Sequence, residues 1–212
     1  MKKQLFRHFS FLACITSVVI AVTACGNSAP SNGGIPTEEQ LSAAADALGS
    51  EVSSLSFSVD GAVYQFPMYV SDMTDNGWAF DSATKSDLKT LPGDTLVAPA
   101  VVMRKKAADG YGATSCSVQP INKSSSEISL ENARLYNLKF SRSDAPTLIL
   151  PSGITWDSTF EEVKDACKHK TTVDQNGVKY IQIKGDDTSY TVTIHFDATQ
   201  NTITSVEYQG RL

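Results

Sequence analysis

Apolar and polar side chains alternate on both sides of Asp60-Gly61: Leu55, Phe57 and Val59 come before the pair, and Ala62, Tyr64 and Phe66 after it. This is the pattern of a β-hairpin, because Asp-Gly tolerates the positive φ angles of a two-residue type I′ turn. The resulting register sets Val59 opposite Ala62, Phe57 opposite Tyr64 and Leu55 opposite Phe66 on one face. Pro67 ends the second strand, and residues 70–76 predict a short helix stopped by Gly77, with Trp78 as a core anchor. Further strands are predicted at 95–105, broken by Pro99, at 113–121 and at 134–140, where Tyr136, Leu138 and Phe140 alternate with polar neighbours. Residues 107–112 read as a turn and 122–127 as a polar loop.

In the second half, Ser158 and Glu161 have the spacing of a capping box, and Phe160, Val163 and Cys167 then share one helical face. Strands follow at 178–184, 189–196 and 202–208. Pairing Phe196 with Thr202 sets Ile194 opposite Thr204, Val192 opposite Val206 and Tyr190 opposite Tyr208, giving an apolar face for the helix to cover. The opposite face carries Thr191, Thr193, His195, Ile203, Ser205 and Glu207, side chains suited to contact with a protein or a glycan. Each half reads as a helix followed by three strands, preceded by Phe66-Pro67 or Leu150-Pro151. The expected fold class is α+β, an antiparallel sheet with short helices on one face. Its organisation reads as two tandem α-β-β-β modules, at residues 54–145 and 146–212.

A different pattern opens the chain. Lys2, Lys3 and Arg7 precede an apolar run, residues 9–22, which is interrupted by Ser10, Thr16 and Ser17 and falls short of the about 20 residues a spanning helix needs. It closes on Val22-Thr23-Ala24-Cys25, which reads as a lipobox. Residues 1–24 are then a signal peptide, and Cys25 is the lipid attachment point, with diacylglycerol on its sulfur. Residues 25–53 hold the lipidated N-terminus and a Gly/Ser/Asn/Pro-rich tether. After it, residues 37–48 are either a short helix, with Thr37 and Gln40 as capping box and Leu41, Ala44 and Leu48 as stripe, or frayed linker. The expected location is the extracytoplasmic face of the cell membrane, held by lipid.

Loss of the leader changes the charge. It removes three of 18 basic residues and no acidic one, leaving 15 against 23 and a net charge of −8 in place of −5. Nucleic acid is an unsuitable partner, because phosphate backbones are bound chiefly through Lys and Arg. Two cysteines remain in the folded body, Cys116 and Cys167. Outside the cytoplasm they either form a disulfide or stay as two separately buried thiols.

Catalytic chemistry is not apparent. His169 lies between Lys168 and Lys170, His195 points to the solvent side of its strand, and neither has a Cys or carboxylate at metal-ligand spacing. Adjacent Glu161 and Glu162 diverge by about 100° on a helix, and Asp186-Asp187 lacks the ligand pattern of a calcium loop. Trp78 and Trp156 would suit either sugar stacking or closure of a small core. No catalytic residue, metal or cofactor is expected beyond the lipid.

The stretches Phe57-Ser58-Val59-Asp60-Gly61-Ala62-Val63-Tyr64, Asn76-Gly77-Trp78 and Leu150-Pro151-Ser152-Gly153-Ile154-Thr155-Trp156-Asp157-Ser158-Thr159 resemble small uncharacterised lipoproteins of Gram-positive bacteria. Residues 154–163, with Phe196-Asp197 and residues 202–206, are similar in pattern to the SmpA/OmlA-type module and to the β-lactamase-inhibitor-protein fold. That resemblance implies protein binding. One departure is the helix exit, where Lys168-His169-Lys170 replaces the usual Gly-x-Pro step. The expectation is a lipid-anchored binding or scaffolding module with a protein or cell-wall partner and no catalytic activity. The alternative is a small cell-envelope enzyme acting on cell-wall material.

Overall fold

The computed structural model describes residues 36–81, 88–97, 99–105, 114–187 and 189–211. The leader, the lipobox with Cys25, nearly all of the tether and the turn expected at 107–112 lie outside the described residues.

Helix α1 (Glu38–Leu48) forms at a reciprocal cap, in which the Gln40 N–H donates to the Thr37 hydroxyl and the Thr37 N–H to the Gln40 side chain. Ala44 and Leu48 are buried beneath it, so this stretch is helix, not linker. Strands β1 (Ser56–Val59) and β2 (Ala62–Gln65) pair Val59 with Ala62 and Phe57 with Tyr64, about a turn with φ of 51° at Asp60 and 74° at Gly61. Helix α2 (Val70–Thr74) follows, and then β3 (Trp78–Phe80).

The later elements are β4 (Thr90–Leu91), β5 (Thr95–Leu96), β6 (Val101–Lys105), β7 (Thr114–Asn122), β8 (Ile128–Ser129), β9 (Arg134–Ser141), α3 (Phe160–Ala166), β10 (Lys170–Gln175), β11 (Val178–Lys184), β12 (Tyr190–Phe196) and β13 (Ile203–Gly210). Most strands join one antiparallel sheet in the order β10-β11-β12-β13-β9-β7-β6-β3, with β5 on the far end of β7. The fold is thus mostly antiparallel sheet with a few short helices. The first hairpin packs on the inner face, where Phe57 meets Phe140 and Tyr208 at ring-centroid distances of 5.3 and 5.0 Å. Helix α3 covers β11, and its Phe160 lies edge-on to Phe196.

Several expectations are corrected. The second capping box sits one residue later: Ser158 accepts from the Thr155 N–H, and Thr159 with Glu162 caps α3. Four strands follow α3 instead of three, because Asn176-Gly177, with φ of 54° and 75°, closes a hairpin between β10 and β11. On the last hairpin a bulge lets Phe196 face Ile203 while His195 faces Ser205. Ile194 therefore lies opposite Val206 and Val192 opposite Tyr208, and Ile203 turns into the core at 1% exposure.

A second bulge breaks the alternation of β9. Pro120, within β7, has no N–H to donate to the ladder, and the register slips there: Gln119 faces Asn137, but Pro120 faces Leu135. Leu135 enters the core beside Leu138 and Phe140, while Tyr136 is left half-buried at the sheet's end.

Cys116 and Cys167 are free thiols, both buried. Cys116 lies on β7, whereas Cys167 ends the helix over β11, with three strands between. At about 4.8 Å per strand that separation exceeds the about 7 Å Cα limit of a disulfide, so the bridge between them does not form.

Candidate functional site

Five of the six residues expected on the outer face of the last hairpin do share it, and the sheet extends that face on both sides. One row runs Gln182, Thr193, Glu207, Lys139 and Ser117 across five strands. A neighbouring row runs Tyr180, His195, Ser205 and Ser141, and another Lys184, Thr191, Gln209, Asn137 and Gln119. Ile203 is the exception, for the reason above. The pleat sends these side chains away from the core, and all are partly or fully exposed except Asn137, which is buried.

This face is a hydrogen-bonding surface. The Gln182 amide donates to the Thr193 hydroxyl at 3.2 Å, and the Asn137 amide donates to Glu207. His195 lies against the Tyr180 ring at 5.8 Å. Partial burial holds the His195 pKa below its ordinary value; Glu207 raises it in part and Lys139 adds to the lowering.

The other residues weighed in sequence serve the fold. Trp78 is buried and donates its indole N–H to the Tyr64 hydroxyl, and buried Trp156 donates to the Ala145 carbonyl. Glu161 pairs with Lys164, Glu162 caps α3, and Asp187 accepts from the Ser189 N–H in a turn. Burial raises the thiol pKa of Cys167 to about 11, with Lys170 opposing, and also raises that of Cys116, so neither is poised as a nucleophile.

Sequence reasoning missed a cleft of about 530 Å³ at the end of the sheet where β12 begins and β13 ends. Its floor is Gly210, where an added Cβ would stand 3.3 Å from Tyr190 and 3.4 Å from Tyr136. Its walls include Tyr69, which is 42% exposed, and the cations Lys123, Arg134 and Arg211. A backbone bridge between Tyr69 and Arg134 sets the guanidinium over the Tyr69 ring at 5.3 Å from its centroid, and Nε and Nη2 donate to the Tyr69 hydroxyl at 3.3 Å. Hydrogen bonding to Tyr69 raises the Arg134 pKa, against partial burial.

The rim is fixed by Asn122, which is buried. Its amide donates to the carbonyls of Leu91, Pro92 and Ser126, and its oxygen accepts from the Ser124 N–H and hydroxyl. Lys123 is held beside the end of β13, its ammonium donating to the Arg211 carbonyl at 3.0 Å. Among the described residues, no Asp, Glu or His lines the cleft. The signals for it were Pro120 inside a strand, which re-aims Tyr136, and a glycine at the end of an otherwise bulky strand.

No family model matches this chain, and neither a curated protein nor a solved structure matches it.

Proposed function

We propose that this protein is a lipid-anchored binding or scaffolding module on the extracytoplasmic face of a bacterial membrane, without catalytic activity. The partner is a protein or cell-wall component. The observation that carries this reading is the asymmetry of the sheet: one face bears the hairpin and helices, while the other leaves rows of Ser, Thr and Gln side chains partly exposed across five strands. Cys25, preceded by Val22-Thr23-Ala24, supplies the anchor. In this reading residues 54–145 and 146–212 are two modules, each a helix with antiparallel strands, fused where β9 pairs with β13. The alternative, a cell-envelope enzyme, needs a general acid or base within reach of a ligand. The lining of the cleft, which among the described residues holds tyrosines and cations but no Asp, Glu or His, favours binding.

The test has two parts. Cys25→Ala is expected to release the protein from membranes or leave it uncleaved, read by fractionation and intact mass; a normally processed, membrane-bound variant overturns the anchor. Thr193→Arg with Ser205→Arg is expected to abolish partner capture from intact cells at unchanged thermal stability. Val192→Asp, which puts an unpaired charge at a position 1% exposed, is expected to unfold the chain. Undiminished capture by the double arginine variant removes the sheet face as the working surface.

A further inference from the structure

We propose that the cleft over Gly210 is a binding site for a small anionic saccharide, a sugar ring carrying a carboxylate or a phosphate. Its volume, about 530 Å³, falls within the range of small-molecule sites. The chain holds 23 acidic and 18 basic residues, yet among the described residues three cations and no Asp or Glu line this concavity. No carboxylate pairs with Lys123, Arg134 or Arg211 among the described residues. Arg134 is pre-positioned by Tyr69, and a guanidinium presents a planar fork matched to carboxylate and phosphate oxygens.

The ring-binding half of the site follows from Gly210. It lies between Tyr190 and Tyr136, and its φ is not among the positive ones, so the backbone does not require glycine there. An added Cβ would crowd both rings, at 3.3 and 3.4 Å, so glycine lets Tyr190 and Tyr136 close over the backbone and line the cleft together. Flat aromatic faces beside hydroxyl and amide groups, here Ser189 and Asn132, suit a ligand with an apolar ring face and a hydroxyl-bearing edge. The cleft shares no residue with the open sheet face, so failure at either surface leaves the other standing.

The experiment is calorimetric titration of the full lipidated protein in detergent with N-acetylmuramic acid, glucose 6-phosphate, N-acetylglucosamine, benzoate and inorganic phosphate. Saturable binding of either anionic sugar is expected, weaker by about tenfold or more for the neutral sugar and for the anions lacking a sugar ring, and weakened by added salt. Preference for the muramic acid marks a carboxylate as the recognised group, and preference for the sugar phosphate marks a phosphate. Arg134→Gln and Arg211→Gln, both on exposed side chains, should each lower affinity by about tenfold. Gly210→Leu should abolish binding by forcing the Tyr190 and Tyr136 rings apart, whereas Lys139→Gln on the sheet face should leave it unchanged. The proposal is overturned if neither anionic sugar binds, if N-acetylglucosamine or benzoate binds equally well, or if Lys139→Gln costs as much as Arg134→Gln. The two arginine variants decide the matter even where Gly210→Leu loses its fold.

Discussion

Thr147 shows how one hydroxyl can secure a turn across the chain. It accepts from the Asp60 N–H at 2.9 Å and donates to the Asp60 carboxylate, tying the first hairpin's tip to a loop 87 residues away in sequence. Thr147→Val keeps the shape and leaves the Asp60 N–H without its partner, so a loss of about 1–2 kcal/mol is expected in urea unfolding. Ser58 is the converse. It is fully buried, and its hydroxyl has no partner among the described residues, so Ser58→Ala is expected to be neutral or to stabilise by about 1 kcal/mol. A clear loss of stability in Ser58→Ala would show that the hydroxyl has a partner after all. His195 adds a pH dependence. Burial depresses its pKa in the folded state below the ordinary 6.5, so the unfolded chain binds more protons as the medium acidifies. Its contribution is complete above that ordinary value and lost as pH falls through the depressed one. Urea midpoints for His195→Gln should therefore fall less than those of the parent between about pH 7 and 5.

At the scale of elements, the caps and bulges decide which residues matter. Thr159→Ala removes the side-chain acceptor that starts α3 and is expected to cost about 1 kcal/mol. Glu161→Ala, which only breaks an exposed pair with Lys164, should change the thermal midpoint little. The reverse ranking would return the cap to Ser158 and Glu161. The elements most legible in the sequence were those with local punctuation: the Asp60-Gly61 hairpin and the Phe160, Val163 and Cys167 face, while the Thr37 and Gln40 box left α1 open between helix and linker. Asn176-Gly177 was equally legible and went unread, which hid β10. The bulges had only a weak signature, since neither Thr204 nor Tyr136 differs in kind from the residues around it.

For the whole molecule, the joint between β9 and β13 is the decisive feature. It places strands from both halves at the centre of one sheet, above a core shared by Phe57, Phe140 and Tyr208. Unfolding of the described body should therefore be a single transition, coincident by far-ultraviolet dichroism and tyrosine and tryptophan fluorescence. Two resolved transitions would show that residues 54–145 and 146–212 are independently stable. Cys116 and Cys167, inside that body, should resist alkylation in the native state and react together on unfolding.

Sequence alone determined what depends on neighbours along the chain: the acidic charge, the turns set by Asp60-Gly61 and Gly77, and the alternation that marks strands as half-buried. Those features are local, because a turn or a cap is satisfied within a few residues. Tertiary structure decided what depends on strands far apart. Cys116 and Cys167 became separate thiols because three strands intervene, and Ile203 went inward because a bulge shifted its register by one. The cleft exists only because Tyr69, Arg134, Tyr190 and Gly210, from four distant segments, meet at one end of the sheet. Period-two patterning specifies which face a side chain takes, but not which strand lies beside it, and a site made between strands is therefore decided by the pairing.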